Sequence, residues 1–140
     1  MPTTPTTLAR LEAARPALLA LHAALLAAER RERERVAGTM TGGAWLAVVL
    51  EDEALAWLRP MSRLVADLDD AMAEAVRQET PLGPDELAAF ERRARACVTP
   101  CARYLELLQD SPEVVLAHRD AVRALPPPAG DAGPAHRLAG

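Results

Sequence analysis

The sequence predicts an all-α fold, an antiparallel four-helix bundle with an additional short helix and proline kinks. Three observations carry that expectation. Apolar residues recur at three- and four-residue spacings along most of the chain, the period of a helix with one buried face. Half of the 140 residues are apolar but only 3% are aromatic, so the apolar set is mostly Ala, Leu and Val, which favours helices over sheets. Clusters of Gly, Pro, Thr and Ser stand between the periodic stretches and read as turns. A chain of this length suffices for one domain that buries roughly two thirds of its unfolded surface, and residues 1–125 are expected to form it.

Leu11, Leu18, Leu25 and Val36, with Leu19 and Leu26 beside them, form the first stripe, which ends at the Gly38–Gly43 turn. The apolar run Trp45 to Leu50 then predicts the short extra helix. Leu58, Met61, Leu64, Val65, Leu68, Met72 and Val76 form the second stripe, closed by Thr80-Pro81-Leu82-Gly83-Pro84. Leu87, Phe90, Ala94, Cys97, Cys101, Leu105 and Leu108 form the third, and Val115, His118, Val122 and Leu125 the fourth, with Asp110-Ser111-Pro112 between them. Leu18, Leu25, Trp57, Leu64, Leu68, Phe90, Leu105 and Val115 are the expected core.

Helix ends are marked independently of the stripes. Gly83-Pro84-Asp85-Glu86 puts proline in a first turn, where its missing N–H has no partner to lose, and adds two carboxylates at the positive end of the helix dipole. Ser111-Pro112-Glu113 repeats that pattern with a better cap. Pro16, Pro60 and Pro100 fall inside apparently continuous patterns. Restarts capped by Arg15 and Thr99 are expected at Pro16 and Pro100, and a kink at Pro60, because the stripe passes through it unbroken. Pro126-Pro127-Pro128 stops the last helix, and the Pro/Gly/Ala-rich residues 126–140 are expected to be disordered.

The segments Leu21 to Arg30, Ala56-Trp57-Leu58-Arg59-Pro60-Met61-Ser62 and Ser111 to His118 resemble a group of small bacterial all-helical proteins that is itself uncharacterised. The likeness spans residues 17–125. That group often carries proline and an aromatic residue where this chain has Glu53 and Leu55, so the turn before Trp57 is expected to differ. The resemblance implies a helical fold and brings no activity, cofactor or catalytic residue.

His22 and His118 are the polar groups that the stripes turn inward. With Glu29, two turns further along the first helix, they have the ligand types of a small zinc or iron site or an acid/base pair. The plainer reading is a pair of hydrogen-bonded core histidines. No Glu-x-x-His pair of the di-iron bundles is present. Cys97 and Cys101 fall on one helical face, a poor disulfide geometry on a continuous helix, and read most simply as structural cysteines. A restart at Pro100 would instead put Cys101 in a first turn, where the dipole favours its thiolate. Asp67, Asp70 and Glu74 lie opposite their stripe and read as solvated. The run Glu29 to Arg35 alternates in sign, with Glu29–Arg33 as its natural pair, and reads as a solvated helix extension.

A net charge of −4 and the scarcity of aromatics give no footprint for nucleic acid or for an anionic membrane. The run Ala17 to Ala28, behind Arg10 and Arg15, imitates an export signal. His22 at its centre, Glu12 before it and the continuing helical register argue against one. No uninterrupted run approaches the ~18 apolar residues of a membrane span. A cytoplasmic location is expected, since two isolated cysteines suit a reducing compartment.

None of the phosphate-binding, nucleophile-elbow or metalloprotease motifs occurs, and no cofactor is expected. The sequence therefore favours a non-catalytic helical protein acting through protein contacts, as a homodimer or a regulatory partner. Trp45, Trp57 and Arg59 are its candidate interface, because the Trp45 to Leu50 run cannot turn all its apolar residues one way. The alternative is a ligand- or metal-binding bundle that uses His22 and His118.

Overall fold

The computed structural model describes residues 6–125, so the tail expected to be disordered over 126–140 lies outside them. Among the described residues the chain is all-helical. It consists of α1 (Thr7–Ala37), α2 (Gly42–Glu51), a 3₁₀ segment (Glu53–Leu58), α3 (Arg59–Arg77), α4 (Pro84–Cys97), α5 (Ala102–Asp110) and α6 (Pro112–Ala124).

Short polar side chains start these elements by satisfying backbone N–H groups that a first turn leaves open. Thr6 Oγ1 accepts from Ala9 at 3.0 Å, Thr41 Oγ1 from Ala44 at 3.1 Å, Asp52 Oδ1 from Ala54 at 2.8 Å and Ser111 Oγ from Val114 at 3.3 Å. Gly38 ends α1 at φ 88°, a left-handed conformation that glycine alone adopts without strain.

Helix α1 is the axis of the packing and touches α3, α4, α5 and α6. At one end Leu21, Leu25 and Ala28 meet Leu55, Leu58, Met61, Tyr104, Leu107, Val114 and Ala121 in one buried cluster. At the other, Leu11, Ala14 and Leu18 meet Leu64, Val65, Leu68, Ala94 and Leu125. Arg31 donates to Ser111 at the start of α6 at 3.4 Å, while Leu125 just past its end joins Leu11 and Leu18, so α1 and α6 run antiparallel. Arg15 pairs with Asp69 at 2.7 Å and Glu29 with Trp57 at 3.3 Å, which makes α1 and α3 antiparallel as well. By length and composition α1 is also apolar enough to cross a membrane, a property its interrupted stripe does not suggest; here that stripe is the seat of the core.

The prolines depart from expectation in instructive ways. Helix α1 runs through Pro16 without a restart. Pro16 faces solvent while Leu11, Ala14 and Leu18 are buried on either side of it, and their packing outweighs the one missing hydrogen bond. Pro60 does not kink a helix but sits in the first turn of α3, where no bond is lost, and the Trp57 stretch before it is 3₁₀. At Pro100 the chain does break, though Cys101 and not Thr99 is the residue before α5.

That break shifts the register. Counting one stripe through Cys97 and Cys101 places Leu105 inside, yet Leu105 is 49% exposed and Tyr104 and Leu107 are buried, because α5 is a new helix whose face is set afresh. On α6 the small residue Ala121 allows close approach to α1, so Val114, Ala121 and the following Leu125 form the core face. Val115, at 43% exposed, and Val122 lie on its flank. Trp57 and Phe90 are half-buried, whereas Leu18, Leu25, Leu64 and Leu68 are buried as expected.

The register makes two substitutions diverge. Leu68→Ala is expected to destabilise the protein by about 2–5 kcal/mol in denaturant melts, from lost burial plus a cavity, and Leu105→Ala by less than ~1 kcal/mol. Equal losses would show that the α5 register is wrong.

Candidate functional site

Glu29 is only 5% exposed, an unusual place for a carboxylate. It is buried because its partners come to it. Arg103, in the first turn of α5, donates from Nε at 3.1 Å and from Nη2 at 2.5 Å to Oε1, and the Trp57 indole N–H donates to Oε2 at 3.3 Å. The hydrogen bond to Glu29 leads the effects that raise the pKa of Arg103, so this guanidinium stays charged. Arg33, the expected partner of Glu29, reaches instead to Asp52 at 2.6 Å and ties α1 to the turn after α2.

Trp57, pinned by its N–H, lies 5.9 Å from the Tyr104 ring at 38°. Tyr104 in turn meets His118 edge-on, with ring centroids 5.3 Å apart and the phenol oxygen 2.5 Å from Nδ1. Burial raises the phenol pKa and lowers that of the imidazole, which favours the neutral form of both, and the two share one hydrogen bond, with the O–H as donor when the imidazole carries its proton on Nε2. One chain of contacts therefore runs Arg103, Glu29, Trp57, Tyr104, His118 and ties α1, the 3₁₀ segment, α5 and α6 together.

Two members of this chain, Trp57 and Tyr104, line a cleft of about 570 Å³ between the 3₁₀ segment with the start of α3 and the end of α4 with the start of α5. Trp57, Tyr104, Pro60 and Met61 supply its apolar surface; Cys97 and Cys101 lie along one wall, and Arg59, Arg63 and Arg93 stand around it. No carboxylate lines it. Arg59 donates to the Leu50 and Asp52 carbonyls at 3.1 and 3.3 Å and so fastens α2 to α3. Arg93 pairs with Asp67 at 2.8 Å at the surface, where the Asp67 carboxylate stays partly in water, and lies over Phe90. Arg63 is exposed and has no ion-pair partner among the described residues.

The expected trio of His22, His118 and Glu29 is not brought together. Among the described residues no three His, Cys, Asp or Glu side chains are grouped to hold a metal ion. His22 lies on the flank of α1 that carries Arg15 and Glu29 and faces α3 and the 3₁₀ segment. Arg31, which reaches Ser111, marks the different flank that meets α6. His118 turns to Tyr104, and Glu29 is occupied by Arg103 and Trp57. Of the candidate interface residues, Trp57 and Arg59 line the cleft, and Trp45 packs half-buried against the core with Val48 and Val49. Tyr104, Arg63, Arg93 and Arg103 were not singled out by the sequence; the proline beside Cys101 was the available signal that this stretch is not one helix.

Both histidines sit in surroundings that disfavour their charged form, His22 and His118 each lowered from 6.5 by burial. Well above pH 6.5 neither folded nor unfolded chain is protonated there, and no stability is at stake. As pH falls below 6.5 the unfolded chain binds protons first, so stability declines. The carboxylates with lowered pKa, Glu32, Asp52, Asp69, Glu91 and Glu113, enter only as pH falls into the ordinary carboxylate range, below this window. Denaturation midpoints are thus expected to fall between pH 7.5 and 5.5, and to fall less in a variant carrying His22→Leu and His118→Gln. Parallel pH profiles for the two proteins would contradict this assignment.

No protein-family model matches the chain, and no curated protein or solved structure is significantly similar to it, so the functional reading rests on the cleft and its supports.

Proposed function

We propose that this is a non-catalytic binding protein, a four-helix antiparallel arrangement whose cleft takes a small organic anion with a flat or apolar body. The observation that carries this reading is the composition of the cleft. In a chain with 20 acidic residues and a net charge of −4, three arginines and, among the described residues, no carboxylate line this cavity with its two aromatic rings. Its volume lies within the ~300–1,000 Å³ of small-molecule sites, which are mostly apolar with a few convergent polar groups. Trp57 and Tyr104 offer ring surface to the body of a ligand, and Arg63, with its charge uncommitted, offers donors to the anionic end. The fixed network behind the rings holds this surface ready, which limits the ordering that binding must impose.

The probe that tests it is 8-anilinonaphthalene-1-sulfonate, read by quenching of Trp57 in a Trp45→Phe background. Saturable binding is expected, weakened about tenfold, or ~1.4 kcal/mol, by Arg63→Glu and unchanged by Arg35→Glu at the far end of α1. The uncharged N-phenyl-1-naphthylamine is expected to bind more weakly than the sulfonate. Equal binding of the two dyes, or equal effects of the two substitutions, would overturn the reading.

A second reading, contact between two copies through α2, is favoured by one observation. No side chain of α2 is buried, and Leu46 and Leu50, one turn apart, are 57% and 64% exposed. With Trp45 turned inward, the contact expected near Trp45 moves to this ridge. A dimer that dissociates on Leu46→Glu with Leu50→Glu, seen by sedimentation across a concentration series, is the expected result. A monomer at every concentration would remove the reading.

A further inference from the structure

Two thiols line the same cleft, and neither takes part in the network beneath it. On an unbroken helix a four-residue spacing would hold their Cβ atoms about 5–6 Å apart, beyond the ~3.5–4.5 Å that a disulfide requires. Here that constraint is absent. Helix α4 ends at Cys97, α5 begins at Ala102, and Val98, Thr99 and Pro100 between them belong to no helix. Cys97, Thr99, Cys101 and Tyr104 all line the same cleft, so both cysteines face one hollow across this break.

The two sulfurs are not equivalent. Cys101 is exposed and occupies the N-cap position of α5, with its thiol open to reagents in the cleft. Cys97 is half-buried, and burial pushes its thiol pKa up against the opposing charge of Arg93. An exposed attacking thiol with a protected neighbour four residues away has the arrangement of an attacking and a resolving cysteine.

We propose that Cys97 and Cys101 form a reversible dithiol–disulfide couple at the wall of the cleft, oxidised by exchange with small anionic disulfides that its arginines attract. The Cys101 thiolate attacks one sulfur of the small disulfide, forming a mixed disulfide and releasing one small thiolate. The Cys97 thiolate then attacks the Cys101 sulfur, closing the internal disulfide and releasing the second. Two protein thiols are oxidised, the small disulfide is reduced to two thiols, and the two protons leave with them. The preference for an anionic reagent rests on the organic-anion reading of the cleft; the couple itself does not.

The test exposes the full folded chain to oxidised glutathione, followed by intact mass and thiol titration. The wild type is expected to lose both titratable thiols and two hydrogens in mass, to retain no glutathione, and to recover on reduction. Cys97→Ser should stop at one glutathione on Cys101, and Cys101→Ser should react at least about tenfold more slowly. A lasting glutathione adduct on the wild type, or no reaction while it stays folded, would overturn the couple even if the sulfonate dye binds. The neutral bis(2-hydroxyethyl) disulfide should close the same bond about tenfold more slowly, as expected of charge steering, and Arg63→Glu should erase the difference. Equal rates with the two disulfides would leave the couple standing and remove the anion preference.

Discussion

The buried carboxylate of Glu29 is the constraint on which the candidate site depends. A charge this far from water is stable only with its partners in place, and removing one partner of such a pair typically costs about 3–5 kcal/mol. Glu29 therefore forces α5 to present Arg103 and the 3₁₀ segment to present Trp57 at fixed positions on α1. Hydrophobic burial alone would let Trp57 pack at several angles; the bond from its indole N–H selects one. With that ring set, Tyr104 has a surface to pack against, and its hydroxyl is left to meet His118.

The absence of lysine shapes the rest of the packing. A core built largely of Leu and Ala has few large side chains to fix helix registers, and planar guanidinium groups supply part of what is missing. Arg15 grips both oxygens of Asp69 at 2.7 Å, and Arg10 holds Glu91 through two nitrogens at 2.9 and 3.3 Å. The first pair is largely in water and adds little stability; the second reaches a carboxylate that is itself buried and joins α4 to α1. Both define how far each helix can slide. Of the three arginines around the cleft, Arg63 alone takes no part in an ion pair or hydrogen bond among the described residues.

Much of the fold was legible because helical period and helix ends are local properties. The caps at Ser111 and the Pro84 start, the turns expected at residues 38–43 and 80–84 and found at 38–41 and 78–83, and the buried Leu18, Leu25, Leu64 and Leu68 all follow from spacing within a few residues, though Gly42 and Gly43 already belong to α2. The site was not legible to the same degree. Trp57 and Arg59 stood out in the sequence, but as an interface, since nothing local says that a hollow faces them. Whether a histidine or a carboxylate on a stripe meets a metal, an arginine or a phenol depends on which residue arrives from another helix, 74 positions away for Arg103 and Glu29 and 14 for Tyr104 and His118. Periodicity carries no such information.

The same reasoning explains why the register failed where it did. A stripe through Cys97, Cys101, Leu105 and Leu108 is a consistent helical pattern, and a sequence optimised for packing alone would have kept it as one helix, with no proline at residue 100. The chain instead breaks there, which costs backbone hydrogen bonds and exposes Leu105. With the break, Tyr104 is buried against Trp57, and both cysteines line the cleft. Departures from local consistency that lower stability are concentrated where a structure does something other than fold. The break between α4 and α5 is such a place: it opens the cleft, frees the two sulfurs from helical spacing, and starts α5 so that Arg103 in its first turn can reach Glu29.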